Sequence, residues 1–189
     1  MKTKVILILI FSMLSISLAM AADNPKKYLI TSEGIDIFLI GQKIPTKSAG
    51  YSISQSILTK SEEGEEYEIP VYTVSENGQD ILNIEATNDI EIASDIFVLS
   101  GKFKTAKNIG LGSTIEEFMA AYPDFTIWFS YISDWYVIET KQLKNVQFFL
   151  AGDDFIEEGG PEFDSDVEIL KPSEFKKGST IKEIRIWGW

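Results

Sequence analysis

The 189-residue sequence contains no cysteine and no histidine, and its one arginine is Arg185. Without histidine or cysteine, Ser-His-Asp and Cys-His nucleophilic catalysis cannot be assembled in their usual forms. Ordinary zinc, copper and haem sites lose their ligands for the same reason. Disulfides are excluded, so the fold has to rely on its apolar core. Basic residues are also scarce, 17 Lys and Arg against 29 Asp and Glu, for a formal charge of −12. Phosphate binding needs a basic face, so no nucleic-acid partner is expected, and an anionic membrane surface is disfavoured likewise. The excess acid reads as a solvated surface, with a basic protein or a cation as the alternative partner. Gly110-Leu111-Gly112 precedes a helix pattern, but the third glycine and the Lys-Ser/Thr ending of a phosphate loop are missing. It reads as a turn.

Long apolar runs are missing too, except at the start. Lys2 and Lys4 precede an apolar run over 5–18, followed by Ala19-Met20-Ala21. This is the pattern of a secretory signal peptide, 1–21, cut after Ala21. The run is shorter than the ~20 apolar residues of a membrane span. A membrane anchor is the alternative. No cysteine follows the run, so a lipid-modified bacterial N-terminus is excluded. The expectation is export to the periplasm or the exterior, with no membrane span after cleavage. What remains, 22–189, carries 15 basic and 29 acidic residues, a formal charge of −14. It suits one medium domain or two small units sharing a core.

The clearest helix signal lies at 113–122. Ser113 suits an N-cap with Glu116 completing a capping box, Ile115, Phe118, Met119 and Tyr122 form one apolar face, and Pro123 stops the helix. Most of the rest reads as strand and turn. Strands are expected at 28–31, 51–60 (with a short helix as the alternative), 67–74, 81–85, 90–99, 125–131, 135–140, 146–151 and 181–187. Asn77-Gly78 between alternating runs is a hairpin signal. The long acidic stretch 152–177 shows little periodicity.

Two similar halves emerge in order. Segment 39–44 compares with 110–115, 67–74 with 135–140, 79–84 with 145–150, and 90–99 with 181–187. The expected fold is α+β, mostly antiparallel sheet, from half-repeats 22–104 and 105–189 packed as one unit, with one short helix. The alternative is chance likeness between two β-rich halves.

Several of these features occur together as Ile44-Pro45, the Glu62-Glu63-Gly64-Glu65 loop, the run 71–74, Asn77-Gly78, a strand ending near Leu99, Gly110-Leu111-Gly112 and the terminal Ile184-Arg185-Ile186-Trp187. That order resembles a bacterial envelope family of unassigned function, which includes a lipoprotein controlled by the envelope-stress sigma factor. The likeness covers 37–187 and rests on spacing and turns. The lipid-attachment cysteine of those lipoproteins is absent here. The helix-then-hairpins order of the second half is also similar to small periplasmic modules that act as inhibitors or assembly factors.

Two chemistries survive the exclusions. Calcium binding by oxygen ligands would draw on Asp153, Asp154, Asp164 and Asp166, although no EF-hand spacing is present and a solvated loop is the alternative. Glycoside hydrolysis by two carboxylates is the other. Aromatics gather in the second half, and alternation sends Ile127, Phe129 and Tyr131 to one face and Trp128 to the other. Trp128, Tyr131 and Trp135 are the candidate binding residues, suited to another envelope protein or a glycan. The alternative is that loops cover them. The reading is an exported, non-catalytic binding or inhibitor-like module with no cofactor. A carboxylate-only glycoside-active enzyme and a structural or stress-related envelope protein are the alternatives. Arg185 is expected to pair with a carboxylate on the surface, so that lysine in its place would be nearly neutral.

Overall fold

The computed structural model describes residues 26–62, 64–87, 91–131, 134–156 and 167–188. The segment 1–21, expected from the sequence to be a signal peptide, and residues Ile90, Asp164 and Asp166 lie outside them. Within the described residues the chain runs β1 (Leu29–Thr31), β2 (Gly34–Ile35), β3 (Phe38–Leu39), β4 (Ser52–Glu62), β5 (Glu65–Glu76), β6 (Gln79–Ala86), β7 (Ala93–Val98), β8 (Lys104–Thr105), α1 (Ile115–Ala121), β9 (Phe125–Ser130), β10 (Trp135–Thr140), β11 (Val146–Leu150), β12 (Val167–Leu170) and β13 (Ile181–Trp187). The expected antiparallel sheet and short helix are both present. The balance is nevertheless strand rather than α+β, with one seven-residue α-helix against thirteen strands among the described residues.

The strands form two sheets. A small one has the order β3-β2-β1-β8 and a large one the order β12-β9-β10-β11-β13-β7-β6-β5-β4. All described pairings are antiparallel except β1 with β8. Asn77 and Gly78 take φ of 52° and 78°, the left-handed pair of a tight hairpin turn, and close β5 onto β6. The apolar run from Gly34 breaks into β2 and β3 because Asp36 also turns left-handed, at φ 52°. Gly34 itself has φ 144°, and a Cβ there would lie 2.1 Å from the Phe38 carbonyl oxygen, so no other residue fits.

The helix cap lies one residue later than the sequence reading. Thr114 Oγ1 accepts from Glu117 N at 3.1 Å, and Thr114 N donates to Glu117 Oε2 at 2.9 Å. Ser113 is engaged elsewhere, accepting from Gly110 N at 3.1 Å, and Glu116 accepts from Gly178 N at 3.2 Å. The acidic stretch, read as aperiodic, holds β12 and two 3-10 turns, Gly152–Asp154 and Pro172–Glu174. Among the described residues its buried hydrophobics, Phe155, Leu170 and Phe175, are irregularly spaced, which hides them from any period.

In the large sheet, β4-β5-β6-β7 form a meander, and β9-β10-β11-β13 form a second one, interrupted between β11 and β13 by the excursion to β12 on the far edge; their last strands meet, Ile186 opposite Ile96. A matching clasp precedes each meander and grips its last strand. Gly41 N donates to Ala93 O at 2.8 Å, as Gly112 N does to Ile181 O at 2.9 Å. Ala93 N donates to Gln42 O at 3.0 Å, as Ile181 N does to Ser113 O at 2.9 Å. Ile44 N donates to Glu91 O at 2.9 Å, as Ile115 N does to Ser179 O at 3.0 Å. Strand β8 straddles the expected division between residues 104 and 105.

One face of the large sheet carries the core. Tyr72, Val74, Ile84, Ile96, Ile127, Ile138, Phe148, Ile184 and Ile186 join the helix residues Ile115, Phe118 and Tyr122, and Ile30, Ile35 and Phe38 of the small sheet, in one buried cluster. Phe118 meets Phe148 edge-on, with ring centroids 4.9 Å apart. Side chains alternate across a strand, so the neighbours of these residues are sent to the opposite, outer face.

Candidate functional site

On the outer face the ladder sets Ile169, Trp128, Val137 and Phe149 in one row, through the pairs Ile169↔Trp128, Trp128↔Val137 and Val137↔Phe149. β-Branched and aromatic residues build these strands, and their large side chains fill the row: Val137 is fully buried although it faces away from the core. The next row is polar. Glu139, opposite Thr126, accepts from Trp128 Nε1 at 3.1 Å on Oε2 and from Gln147 Nε2 at 2.9 Å on Oε1.

Ile169 and Trp128 of the first row, with Thr126 and Glu139 of the second, floor a groove of about 630 Å³. Trp128, Val146, Leu143, Ile169 and Trp187 supply its apolar lining, and Asp124, Glu139, Lys141, Lys144 and Asn145 its polar groups. That volume falls in the range of ligand sites, and an apolar lining with a few convergent polar groups is their usual make-up. The tight turn between β10 and β11 brings Leu143 and Lys144 to the rim. Asp124 Oδ1 accepts from Thr140 Oγ1 at 2.9 Å and from Gln142 Nε2 at 2.7 Å. Desolvation opposes its charge, yet these hydrogen bonds, with backbone donors, hold Asp124 below the ordinary carboxylate range.

The three candidate binding residues separate. Trp128 lines the groove. Trp135 stands on the same face outside it, 40% exposed, and packs edge-on against Phe149 at 4.9 Å. Tyr131 goes with the core side, its ring perpendicular to Phe129 at 4.9 Å. Trp187, Ile169 and Glu139 were not singled out from the sequence. Alternation along 181–187 sends Trp187 to the face opposite Ile184 and Ile186, and that is the available signal for it.

Of the calcium candidates, Asp153 is exposed and Asp154 half-buried in the 3-10 turn Gly152–Asp154. Their main-chain carbonyls hold Lys176: Asp153 O accepts from its Nζ, and Asp154 O from its backbone N at 2.8 Å. Among the described residues no group of three or more Asp or Glu side chains is disposed to hold a metal ion. Asp164 and Asp166 lie outside the described residues. The Gly110-Leu111-Gly112 amides are largely committed within the protein: Gly110 N to Ser113 Oγ and Gly112 N to Ile181 O. Lys107, in the polar groove beside α1, donates to Ala121 O at 2.6 Å and to Gln142 Oε1 at 2.7 Å.

No protein-family model matches the chain, and no curated protein matches it. Among solved structures, the crystal structure of the uncharacterized protein yfeY from Escherichia coli is similar, with a TM-score of 0.55 at 11% sequence identity. The likeness covers 85% of this chain and 99% of that one. At that identity it is a likeness of fold. Among the described residues no helix is long and apolar enough to cross a membrane.

Proposed function

We propose that the protein is an exported, non-catalytic binding module of the bacterial envelope, and that the groove over Trp128 is its ligand site. The observation that carries this reading is the apolar groove on the outer sheet face, lined by two tryptophans and by Ile169, which is 66% exposed. Contiguous apolar surface of this kind marks interaction sites on proteins that are otherwise polar outside. The ligand is another envelope protein or a glycan. An indole face suits the apolar face of a sugar or a partner's apolar side chain, and Glu139, Asn145 and the two lysines offer hydrogen bonds around it.

Glycoside hydrolysis by two carboxylates is less well supported. A general acid needs a raised pKa. Asp124 is held low instead, and Glu139 already accepts a hydrogen bond on each oxygen. The matching clasps at Gly41 and Gly112 support an origin by duplication of a clasp-plus-meander unit. The leader 1–21 supports export, and the order of turns supports kinship with the envelope family that the sequence resembles.

The test is capture from cell-envelope extract and binding to a glycan array, with wild type and Trp128→Ala side by side. Trp128 is only partly buried, so the variant is expected to keep a cooperative melt while retention falls about tenfold or more, the usual effect of losing a central aromatic. A ligand retained equally by wild type, Trp128→Ala and Ile169→Glu would overturn the groove as the site.

A further inference from the structure

The two edges of the large sheet are built differently. At one end lies β12, whose described part, Val167–Leu170, offers only four residues to pair with. At the other end β4 runs for eleven residues, Ser52–Glu62, in unbroken register with β5. From Ser54 to Thr59 it is exposed on both faces. Ile57 and Leu58, on opposite faces, are 56% and 43% exposed. Natural edge strands are guarded by proline, a bulge or a charge. β4 has no proline and no bulge. Its two charged residues sit at one end: Lys60 is drawn away over the sheet by Glu85, with Nζ 2.6 Å from Oε2, and Glu62 is the last residue of the strand. Among the described residues nothing pairs with the outer side of β4.

We infer that β4 is a dimerisation edge and that its partner is β4 of a second copy, antiparallel, about a two-fold axis at Ile57. The register follows from the pleat and from full overlap of the strand, whose midpoint, Ile57, is also its most exposed large apolar residue. Residues directly opposite one another in an antiparallel pair share a face, so a two-fold axis perpendicular to the sheet has to pass through a residue pairing with itself. Centred on Ile57, the strand sets Ile57 against Ile57, Leu58 against Ser56, Lys60 against Ser54 and Glu62 against Ser52. No like charges meet, although the chain as a whole carries −12. The charge pattern of the strand therefore permits self-pairing where the surface in general opposes it. A two-fold contact closes on itself, so this edge gives a dimer rather than a fibre. The hydrogen-bonded edge is roughly 36 Å long at about 3.3 Å per residue, a small contact that favours a reversible dimer.

The absence of native cysteine makes the register directly testable. In Ile57→Cys the two thiols lie opposite each other, with Cβ atoms about 5 Å apart, close to disulfide geometry. In Ser52→Cys they lie ten residues apart along the paired strands, about 33 Å. Mild oxidation of the purified protein at about 100 µM, a concentration suited to a weak contact, is expected to convert most of Ile57→Cys to a covalent dimer and to leave Ser52→Cys monomeric. Sedimentation of the cysteine-free protein is expected to show a concentration-dependent dimer. Ile57→Lys, which sets lysine against lysine, shifts its midpoint about tenfold or more. A monomer throughout, a dimer indifferent to Ile57→Lys, or equal cross-linking at positions 52 and 57 would each overturn the inference.

Discussion

Arg185 reaches Asp95 where the two meanders meet, its Nε and Nη2 both on Asp95 Oδ1, at 2.7 and 2.6 Å. The side chains are 27% and 12% exposed, so this is not the open surface pair expected from the sequence. A lysine ammonium cannot present two donors in a fixed fork. Arg185→Lys is therefore expected to lower stability by about 1 kcal/mol rather than to be neutral. Asp95→Ala, which leaves the sheltered guanidinium without its acceptor, costs about 2 kcal/mol. Denaturant titration of the three proteins checks both. Equal midpoints would show that water already shares the pair.

Glu76 predicts a pH dependence. Its carboxylate, 7% exposed, accepts from Lys102 Nζ, from Lys27 Nζ at 2.5 Å and from Tyr28 OH at 3.0 and 2.9 Å. The Lys102 hydrogen bond first, then that of Lys27, outweigh burial and hold it down at about 2, from an ordinary 4.5. A pKa depressed in the folded state contributes stability that is present above the unfolded value and lost as the pH falls through the folded one. Wild type is expected to lose on the order of 2 kcal/mol through this group between about pH 4.5 and 2. Glu76→Gln should be weaker at pH 7, because two lysines lose their anion, and should lack that part of the acid slope. Urea midpoints from pH 7 to pH 2 decide it: parallel curves for the two proteins would exclude Glu76 as the source.

Export predicts a new N-terminus. Ala19 and Ala21 supply the small residues that signal peptidase requires at −3 and −1. Protein recovered from the periplasm or medium of a bacterial host should begin at Ala22. N-terminal sequencing that returned Met1 from a soluble fraction would sink the export reading.

What the sequence made legible was local. The Asn77-Gly78 turn, the Ile115, Phe118 and Tyr122 face and the alternation that separates Trp128 from Ile127 all depend on neighbours within a few residues. The helix cap was ambiguous because Ser113 and Thr114 are each followed three residues later by glutamate. Distant backbone at Gly178 recruits Glu116, and Ser113 closes the preceding turn, which leaves the cap to Thr114. Strand β12 was illegible because pairing with β9 defines it. Leu170 is buried while Ile169 next to it is 66% exposed, and four residues carry too little alternation to notice. The groove was legible in part for the same reason: period two places Trp128 and Trp187 each on the outer face of its own strand, but only sheet order brings Ile169 and Trp187 to one groove, and the turn after β10 brings Leu143.

Deleting 180–189 should abolish the fold, because the topology places β13 in the interior of the large sheet. From the sequence alone, β13 is a strand close to the end of the chain, whereas in the sheet it lies between β11 and β7 and joins the two meanders. A register shift opposite Phe149 and Leu150 lets Ile181 and Ile184, three residues apart, both reach the core. Ile181, Ile184 and Ile186 are 1%, 0% and 0% exposed. Each buried side chain contributes roughly 1.5–3 kcal/mol, so three approach the 5–15 kcal/mol that holds a whole domain. The deletion also strips the hydrogen-bond partners from two interior strands and removes Ile181, which clasps Gly112 and Ser113 ahead of α1. The truncated protein is expected to be insoluble or to melt without cooperativity. Ile184→Ala, which keeps the strand and its backbone bonds, should remain folded and lose about 2–5 kcal/mol. Paired thermal and denaturant melts separate the two effects. A truncated protein that melts cooperatively near the full-length midpoint would mean that β7 and β11 close on each other without β13.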